Sequence, residues 1–536
     1  MPLPLLVAAI YKLVVSYAVT ALVDTIFRQG DKSTERGFGS YEPGTPSNDE
    51  GNPVPTVWGH AYINSANLFY ASNFQYQGQA EPFVIAGETY YKFNPNTKMN
   101  GILGFALCRG PLVAANSDGV LLIRFSGKTP VDEIAGGGDW CRTTAGVGVA
   151  YPDEVIGALS IKDTDLASVG IQFDGTVHAG LAAEAADVTF QAQSGIATLP
   201  AWRGVAYYWC FNRIGRGAVL DAYWFEVRRC PNNLGLAATN YLIQDPDAAA
   251  LAGIFDANPA EMIYELLTDA DTGLGLTADD VATASFTAAG NTLFDETFGM
   301  SLTWDGLSAV KNILDEILKT IGAVLYQDTD GKIAIKLLRS TDTSQLTVDV
   351  SNTASLEMGS ASWTSGAGMV IVEYPQRSVA EKRLSSATVT AADTSRFQYS
   401  GGIIPTRVEY RGIRRADLAT RLATRDLRIL STPIRKFVAT CNREGSLKAG
   451  GTPLSPGDVV TVTWADYGVD ALRCRVDAID LGSLTQGRVT LNLIEDVFDA
   501  DDAGFDSPDS EADEDDSNPT TVGYGLAYGE AYGGLV

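Results

Sequence analysis

Short apolar runs separated by Gly and Asn turns dominate the first half of the chain. Thr56–Ile63, Pro82–Ala86 and Val120–Phe125 read as strands. The signal strengthens at 201–230, where "GVAYYWCF" and "DAYWFEVRR" are rich in aromatic and β-branched residues. Between these, 131–200 opens on Gly136-Gly137-Gly138 and keeps no sustained period, so it reads as an irregular insertion. The period changes at the centre. Asn258-Pro259-Ala260-Glu261 puts an N-cap acceptor, a Pro at the first helical position and an acid at the third ahead of Met262, Ile263, Leu266 and Leu267. Gly273 and Gly275 close that run. In 305–321, Leu307, Val310, Leu314, Ile317, Leu318 and Ile321 form one helical stripe. "AVLYQ" and "KIAIKLL" then pair through Asp330-Gly331, a favoured tight turn. The last folded section, about 365–498, is again β-patterned, around one helix at 414–430. We find no tandem repeat of about 20–50 residues.

Composition bounds what such a chain can do. Its 536 residues suffice for several domains of about 100–200 residues. Apolar residues at 45% and charged residues at 19% are ordinary for a folded protein. The net charge is −26, and 499–517 holds ten acids and no base, so subtracting those ten still leaves the body at −16. A phosphate-gripping groove needs clustered Lys and Arg, so this balance argues against sequence-reading nucleic-acid binding. The six cysteines have no two nearer than twenty residues, which excludes CxxC metal knuckles and a dense disulfide framework. Free buried thiols are the blander reading beside one or two long-range disulfides.

Motifs for chemistry are scarce. His60 and His178 lack Cys or His at metal-ligand spacing, and neither has a neighbouring nucleophile. A G-x-S-x-G elbow, a P-loop and a dinucleotide-binding glycine fingerprint are absent. With 65 acids, carboxylate pairs arise by chance, so a two-carboxylate hydrolase has no specific support. Asp269-x-Asp271-x-Gly273 and Asp328-x-Asp330-Gly331 resemble the opening of a calcium loop, but position twelve is Asp280 or Arg339 rather than Glu, which favours turn-forming aspartates. No catalytic, cofactor-binding or metal residue is assigned, and the chain reads as a non-enzyme. One surface stands out. Arg414, Arg421, Arg425 and Arg428 fall in a narrow stripe of the 414–430 helix beside Leu418, Leu422 and Ile429. The stripe is either a docking face for an acidic neighbouring subunit or a solvated face whose Arg stems cover apolar area.

The termini differ from the body. Residues 1–27 carry only Lys12 and Asp24 as charges, lack a basic leader region, and hold a lysine where a lipid-spanning helix would be apolar. They read as an apolar helix buried against partners or copies of itself, with membrane contact or a cleaved leader as alternatives. Residues 28–56 form a Gly/Pro/Ser-rich linker, 499–517 an acidic linker and 518–536 a Gly/Tyr-rich tail.

Six segments in order carry a resemblance. They are "VPTVWGHAYINSANLFYASNF" (54–74), "FALCRGPL" (105–112), "RGVAYYWCF…DAYWFEVRR" (203–229), "NPAEMIYELLTDADTGLGL" (258–276), the helix and hairpin at 305–338, and "LATRLATRDLRIL…LSPGDVVTVTW…LNLIEDVF" up to 498. Together they resemble the tail hub, or tip attachment, proteins of long-tailed (siphovirus-like) bacteriophages and gene transfer agents. Arg109 departs from the acid expected in the second segment. The resemblance implies an α+β, mainly β, multidomain fold. A first hub β-barrel domain would span 57–235 with an insertion at about 131–200. A helix-containing central α/β domain would span 236–360, and a second hub β-barrel domain 361–498. It further implies a homotrimer at the distal end of a virion tail, joining a hexameric distal tail protein ring to a three-fold tip. That assembly would close or gate the channel for the tape measure protein and for DNA, which meets the chain only in transit, and would leave receptor binding mainly to tail fibres or other tip proteins. No cofactor is implied. A β-rich adhesin stacking sugars on Trp202, Trp209 and Trp224 is the alternative, with a cell-wall glycosidase behind it.

Overall fold

The computed structural model describes residues 53–498 except 64–65, 78–79, 86–87, 94–97, 113–121, 127–139, 143–158, 163–172, 217–218, 221, 238, 245–254, 307–308, 361–366, 379–382, 394–404, 449 and 483–486. The expectations for 1–27, most of 28–56, 499–517 and 518–536 lie outside the described residues.

The aromatic run Ala206–Cys210 becomes a strand buried on both faces. One sheet takes the spatial order Leu302–Trp304, Thr56–Ile63, Ala222–Arg229, Leu122–Ser126, Trp140–Arg142. Its partner runs Asn67–Gln77, Lys98–Arg109, Val205–Arg216, Phe173–His178, Leu159–Lys162. Side chains alternate along a strand, and Val205–Arg216 uses both phases. Ala206, Tyr208 and Cys210 meet Val57, Ala61, Leu103, Phe105, Phe225 and Val227 between the sheets. Tyr207 and Trp209 point the other way, onto Ile102 and Phe190. Phe190 belongs to helix α1 (Val188–Ser194), which Asp187 caps by accepting from the amides of Thr189 and Phe190. The described part of the expected irregular insertion is therefore integral to the fold. Phe173–His178 pairs directly with Val205–Arg216, and α1 covers the outer aromatic face.

The centre gathers helices α2 (Pro259–Thr268), α3 (Thr283–Asp295), α4 (Val310–Ile321) and α5 (Ala416–Ser431) around a hairpin, Ala323–Gln327 with Ile333–Leu337, and a three-stranded sheet, Arg383–Ala392, Met369–Ser378, Pro405–Glu409. The predicted cap is present: Asn258 accepts from the Ala260 amide at the start of α2. In α4 the predicted stripe buries Leu314, Ile317, Leu318 and Ile321. One apolar core runs through all of this, from Trp58 and Cys230 to Ile494 and Phe498.

The last sheet departs from the sequence expectation. Its order is Ser344–Val348, Val459–Trp464, Val469–Asp480, Arg488–Glu495, Arg435–Asn442, Thr353–Ser360. Two of its strands thus precede residue 361, while Met369–Ser378, Pro405–Glu409 and α5 pack into the central core. The two edge strands are consecutive in the chain, joined by the four residues 349–352. Asp349 Oδ1 accepts from the Ser351 amide (2.8 Å), and Asn352 Nδ2 donates to the Thr347 carbonyl (2.7 Å), which fixes that tight turn. So short a link between opposite edges makes the sheet curl around its core of Val348, Leu356, Phe437, Val460, Val476 and Leu491. No ladder joins the edges; instead Tyr467 Oη donates to the Leu356 carbonyl at 3.0 Å. Among the described residues no sheet closes, so the expected barrels are replaced by a pair of packed open sheets and one curled open sheet. The fold class itself, α+β and mainly β with several packed units, stands as expected.

Candidate interaction site and charged joints

Helix α5 carries the one functional surface singled out in the sequence. Leu418, Leu422 and Ile429 are buried as the stripe requires, and they draw part of the arginine row inward with them. Arg425 is only 3% exposed. Its guanidinium donates to Asp426 Oδ1 (3.0 and 2.8 Å), to Tyr410 Oη (2.7 Å) and to the Thr320 carbonyl (2.9 Å). Burial opposes that charge, but Asp426 and the Tyr410 hydroxyl outweigh it and hold Arg425 above its ordinary range. Arg414 is buried too and donates to the Ile413 carbonyl at 3.2 Å. Arg421, partly open, donates to the Glu296 carbonyl (3.2 Å) and lies 3.4 Å from Asp417. Arg428 is half-buried in the last turn. The four arginines therefore do not form one exposed docking face. Asp426, Tyr410 and the Thr320 carbonyl take the Arg425 guanidinium, and carbonyls of the loop leading into α5 take that of Arg414. Arg421 and Arg428 remain as the part of the row that reaches the surface.

Other arginines, most of them buried, join the packed parts of the chain. Glu265 of α2 accepts from Trp58 Nε1 (2.6 Å) and Arg229 Nη1 (3.0 Å), and also pairs with Arg229 Nη2, tying two strands of the first sheet to the central helices. Arg475 of the curled sheet reaches Asp496 (2.7 Å), Asp342 (2.6 Å) and the Arg339 carbonyl (2.6 Å). Arg109, the residue that departs from the family pattern, donates to Thr272 Oγ1 (2.6 Å) and Asp271 (3.1 Å) and lies 3.5 Å from Asp269. For the buried pairs of Arg229 and Arg475, losing one partner costs more than the intact pair contributes.

The remaining candidates fall into structural places. Asp269 Oδ1 accepts from the amides of Asp271 and Thr272, and Asp328 Oδ1 from those of Asp330 and Lys332, so both aspartates shape turns. Cys108, Cys230, Cys441 and Cys474 are free and buried and Cys210 is buried with them; burial pushes Cys108 and Cys230 up to about 12. Neither thiol is a ready nucleophile. Trp209 is fully buried and stacks on Phe190 at 4.7 Å, and Trp202 stacks on the same ring at 5.7 Å. That placement takes Trp209 out of reach of a sugar, while Trp202 is only half-buried; the Trp224 side chain lies outside what is described. Among the described residues no group of three or more His, Cys, Asp or Glu is arranged to hold a metal ion, and no helix is long and apolar enough to cross a membrane. His60 is buried with its ring edge-on to Tyr62. His178 is held more specifically than its spacing from Cys, His or a nucleophile suggests. Its Nδ1 lies 2.8 Å from Glu184 and its Nε2 2.8 Å from Asp187, a pairing announced by two acids six and nine residues downstream.

With this geometry in hand, known folds supply context. No family model and no curated protein sequence matches the chain. Its fold is similar to a chain in the virion of a native gene transfer agent particle, at 16% identity and a TM-score of 0.55, covering 88% of this chain and 91% of that one. Weaker likenesses are to the 43 kDa tail protein of prophage MuSo2 from Shewanella oneidensis (12% identity, TM-score 0.29, 80% and 99% covered) and to a tail protein from Neisseria meningitidis MC58 (10% identity, TM-score 0.30, 78% and 97% covered). Scores that low carry no weight on their own.

Proposed function

We propose that the chain is a structural protein of a phage-like virion tail. In this reading it is the hub, a homotrimer at the distal end that joins a hexameric tail ring to a three-fold tip and closes the channel until tape measure protein and DNA leave. The observation that carries the reading is the fold shared over almost the whole length of both chains with a component of the gene transfer agent virion. Physical features support it. The packed parts are tied together by ion pairs at Glu265 and between Arg475 and Asp342, as suits a stiff joint. A symmetric joint relies on large self-complementary faces. A body at −16 would repel passing DNA instead of retaining it. Partners would be two further copies, the distal tail protein ring, the tape measure protein and tail fibres or other tip proteins.

The test is the mass of the purified full-length protein, alone and mixed with the tail components of its virion. We expect a particle of three 57.0 kDa chains that binds the ring-forming tail protein. A stable monomer indifferent to every tail component would overturn the proposal.

A further inference from the structure

His178 sits where its two ring nitrogens each face a carboxylate. Nδ1 is 2.8 Å from Glu184 Oε1, and Nε2 is 2.8 Å from Asp187 Oδ2. The other carboxylate oxygens are already committed. Glu184 Oε2 accepts from the amides of Gly180 (2.9 Å) and Leu181 (3.0 Å), and Asp187 Oδ1 from those of Thr189 (2.7 Å) and Phe190 (3.1 Å). Trp209 Nε1 also donates to Asp187 Oδ2, at 2.7 Å. A neutral imidazole owns one N–H and one lone pair. Between two ionised carboxylates it satisfies one contact and sets its lone pair against the other. The arrangement is complete only when the ring carries both protons.

What the ring holds together is the cover of an apolar face. Asp187 is the N-cap of α1, and Phe190 of α1 lies on Trp209 (4.7 Å) and against Tyr70 (5.1 Å). The His178 ring itself stacks on Tyr207 at 4.3 Å. Beneath α1 lie Ile102, Tyr207 and Trp209.

We propose that His178 is a proton-operated clasp, which holds helix α1 over the aromatic face of the first sheet when protonated and loosens that cover when neutral. Among the described residues, the charged groups facing the ring are Glu184 and Asp187, with Arg203 behind them through its bond to the Glu184 carbonyl (3.0 Å). Tyr207 offers a neutral ring face, since burial keeps its hydroxyl protonated. Burial opposes the charge on His178, but the bonds to Asp187 and Glu184 outweigh it and raise the group above its ordinary 6.5. Because the folded value is the higher one, the clasp is fully engaged below about 6.5 and is lost as pH rises through the folded value. The inference rests on this site alone and is independent of the tail reading.

Hydrogen exchange of the intact protein between pH 5.5 and 9.5 tests it, with rates corrected for intrinsic exchange and read on the peptide covering 181–195 against the strand Arg488–Glu495. In the wild type, relative protection of 181–195 should fall several-fold across the range as the ring loses its second proton. His178→Gln should lower that protection and remove its pH dependence. Asp187→Asn supplies a second variant: its oxygen still caps α1, and its amide donates to the neutral ring at the cost of the Trp209 bond. It should keep the cover protected at high pH with little titration. A wild type whose protection does not change with pH would overturn the clasp. So would a His178→Gln protein that retains the full titration, because the proton would then lie elsewhere, or an Asp187→Asn protein that titrates like the wild type.

Discussion

Replacing Glu265 by Ala should loosen the join between the first sheet and the central helices more than any surface change. The carboxylate accepts from Trp58 and twice from Arg229, and it is 7% exposed, with Arg229 at 5%. Truncation leaves the guanidinium buried with only the carbonyls of Val57 (3.2 Å) and Gly110 (3.4 Å) as acceptors. Breaking one partner of a buried pair costs about 3–5 kcal/mol. The orphaned indole N–H of Trp58 costs about 1–3 kcal/mol more when taken alone. The two losses share one site and do not add fully, so about 4 kcal/mol is the expected destabilisation. Urea unfolding followed by tryptophan fluorescence should show the first transition moving by that amount, with faster hydrogen exchange in Thr56–Ile63. A paired replacement, Arg229→Met with Glu265→Leu, removes both charges and should recover most of the loss. A Glu265→Ala protein within about 1 kcal/mol of wild type, or a double variant no better than the single one, would refute this account of the joint.

Three further outcomes follow from named contacts. Burial raises Glu261 to about 7 while its carboxylate accepts from the amides of Asn233 and Leu234; an acid raised on folding makes stability fall from about pH 4.5 to about 7. Glu261→Gln, whose one oxygen can serve both amides, should flatten that slope in urea titrations repeated across pH. Gly59 has φ +70, and an added Cβ would run into Ser301 Oγ and lie 2.7 Å from the Met300 carbonyl, so Gly59→Ala should cost about 2–4 kcal/mol, read by the same unfolding assay. Cys108, Cys210, Cys230, Cys441 and Cys474 should stay silent to a thiol-specific chromogenic reagent in native buffer and react once urea opens the core.

Local signals carried the helices. The cap at Asn258 and the stripe ending at Ile321 depend on residues a turn apart, so spacing alone reveals them. Pairings across long stretches of chain were not legible. Ser344–Val348, "SQLTV", is polar and short, and it becomes a strand because Val459–Trp464 lies parallel to it more than a hundred residues later. Helix α1 spans seven residues and is held by aromatic rings of the strands beneath it, so from sequence alone 131–200 reads as an irregular insertion. Periodicity identified the arginine face of α5 but not its fate, since Tyr410 and the Thr320 carbonyl come from other elements. The His178 site was within reach, because Glu184 and Asp187 follow closely in sequence; a search for nucleophiles alone passes over a ring whose role is to donate twice.

The shared central core sets the order in which the protein can mature during synthesis. Its walls include Trp58 and Cys230 at one end of the chain and Ile494 and Phe498 at the other. A polypeptide leaving the ribosome therefore carries the apolar side of α4 unfinished for about 180 residues after Ile321, roughly 10–35 s at about 5–20 residues per second. Throughout that interval the nascent middle is a natural client for chaperones, and a premature stop anywhere in the curled sheet leaves the interior unsealed.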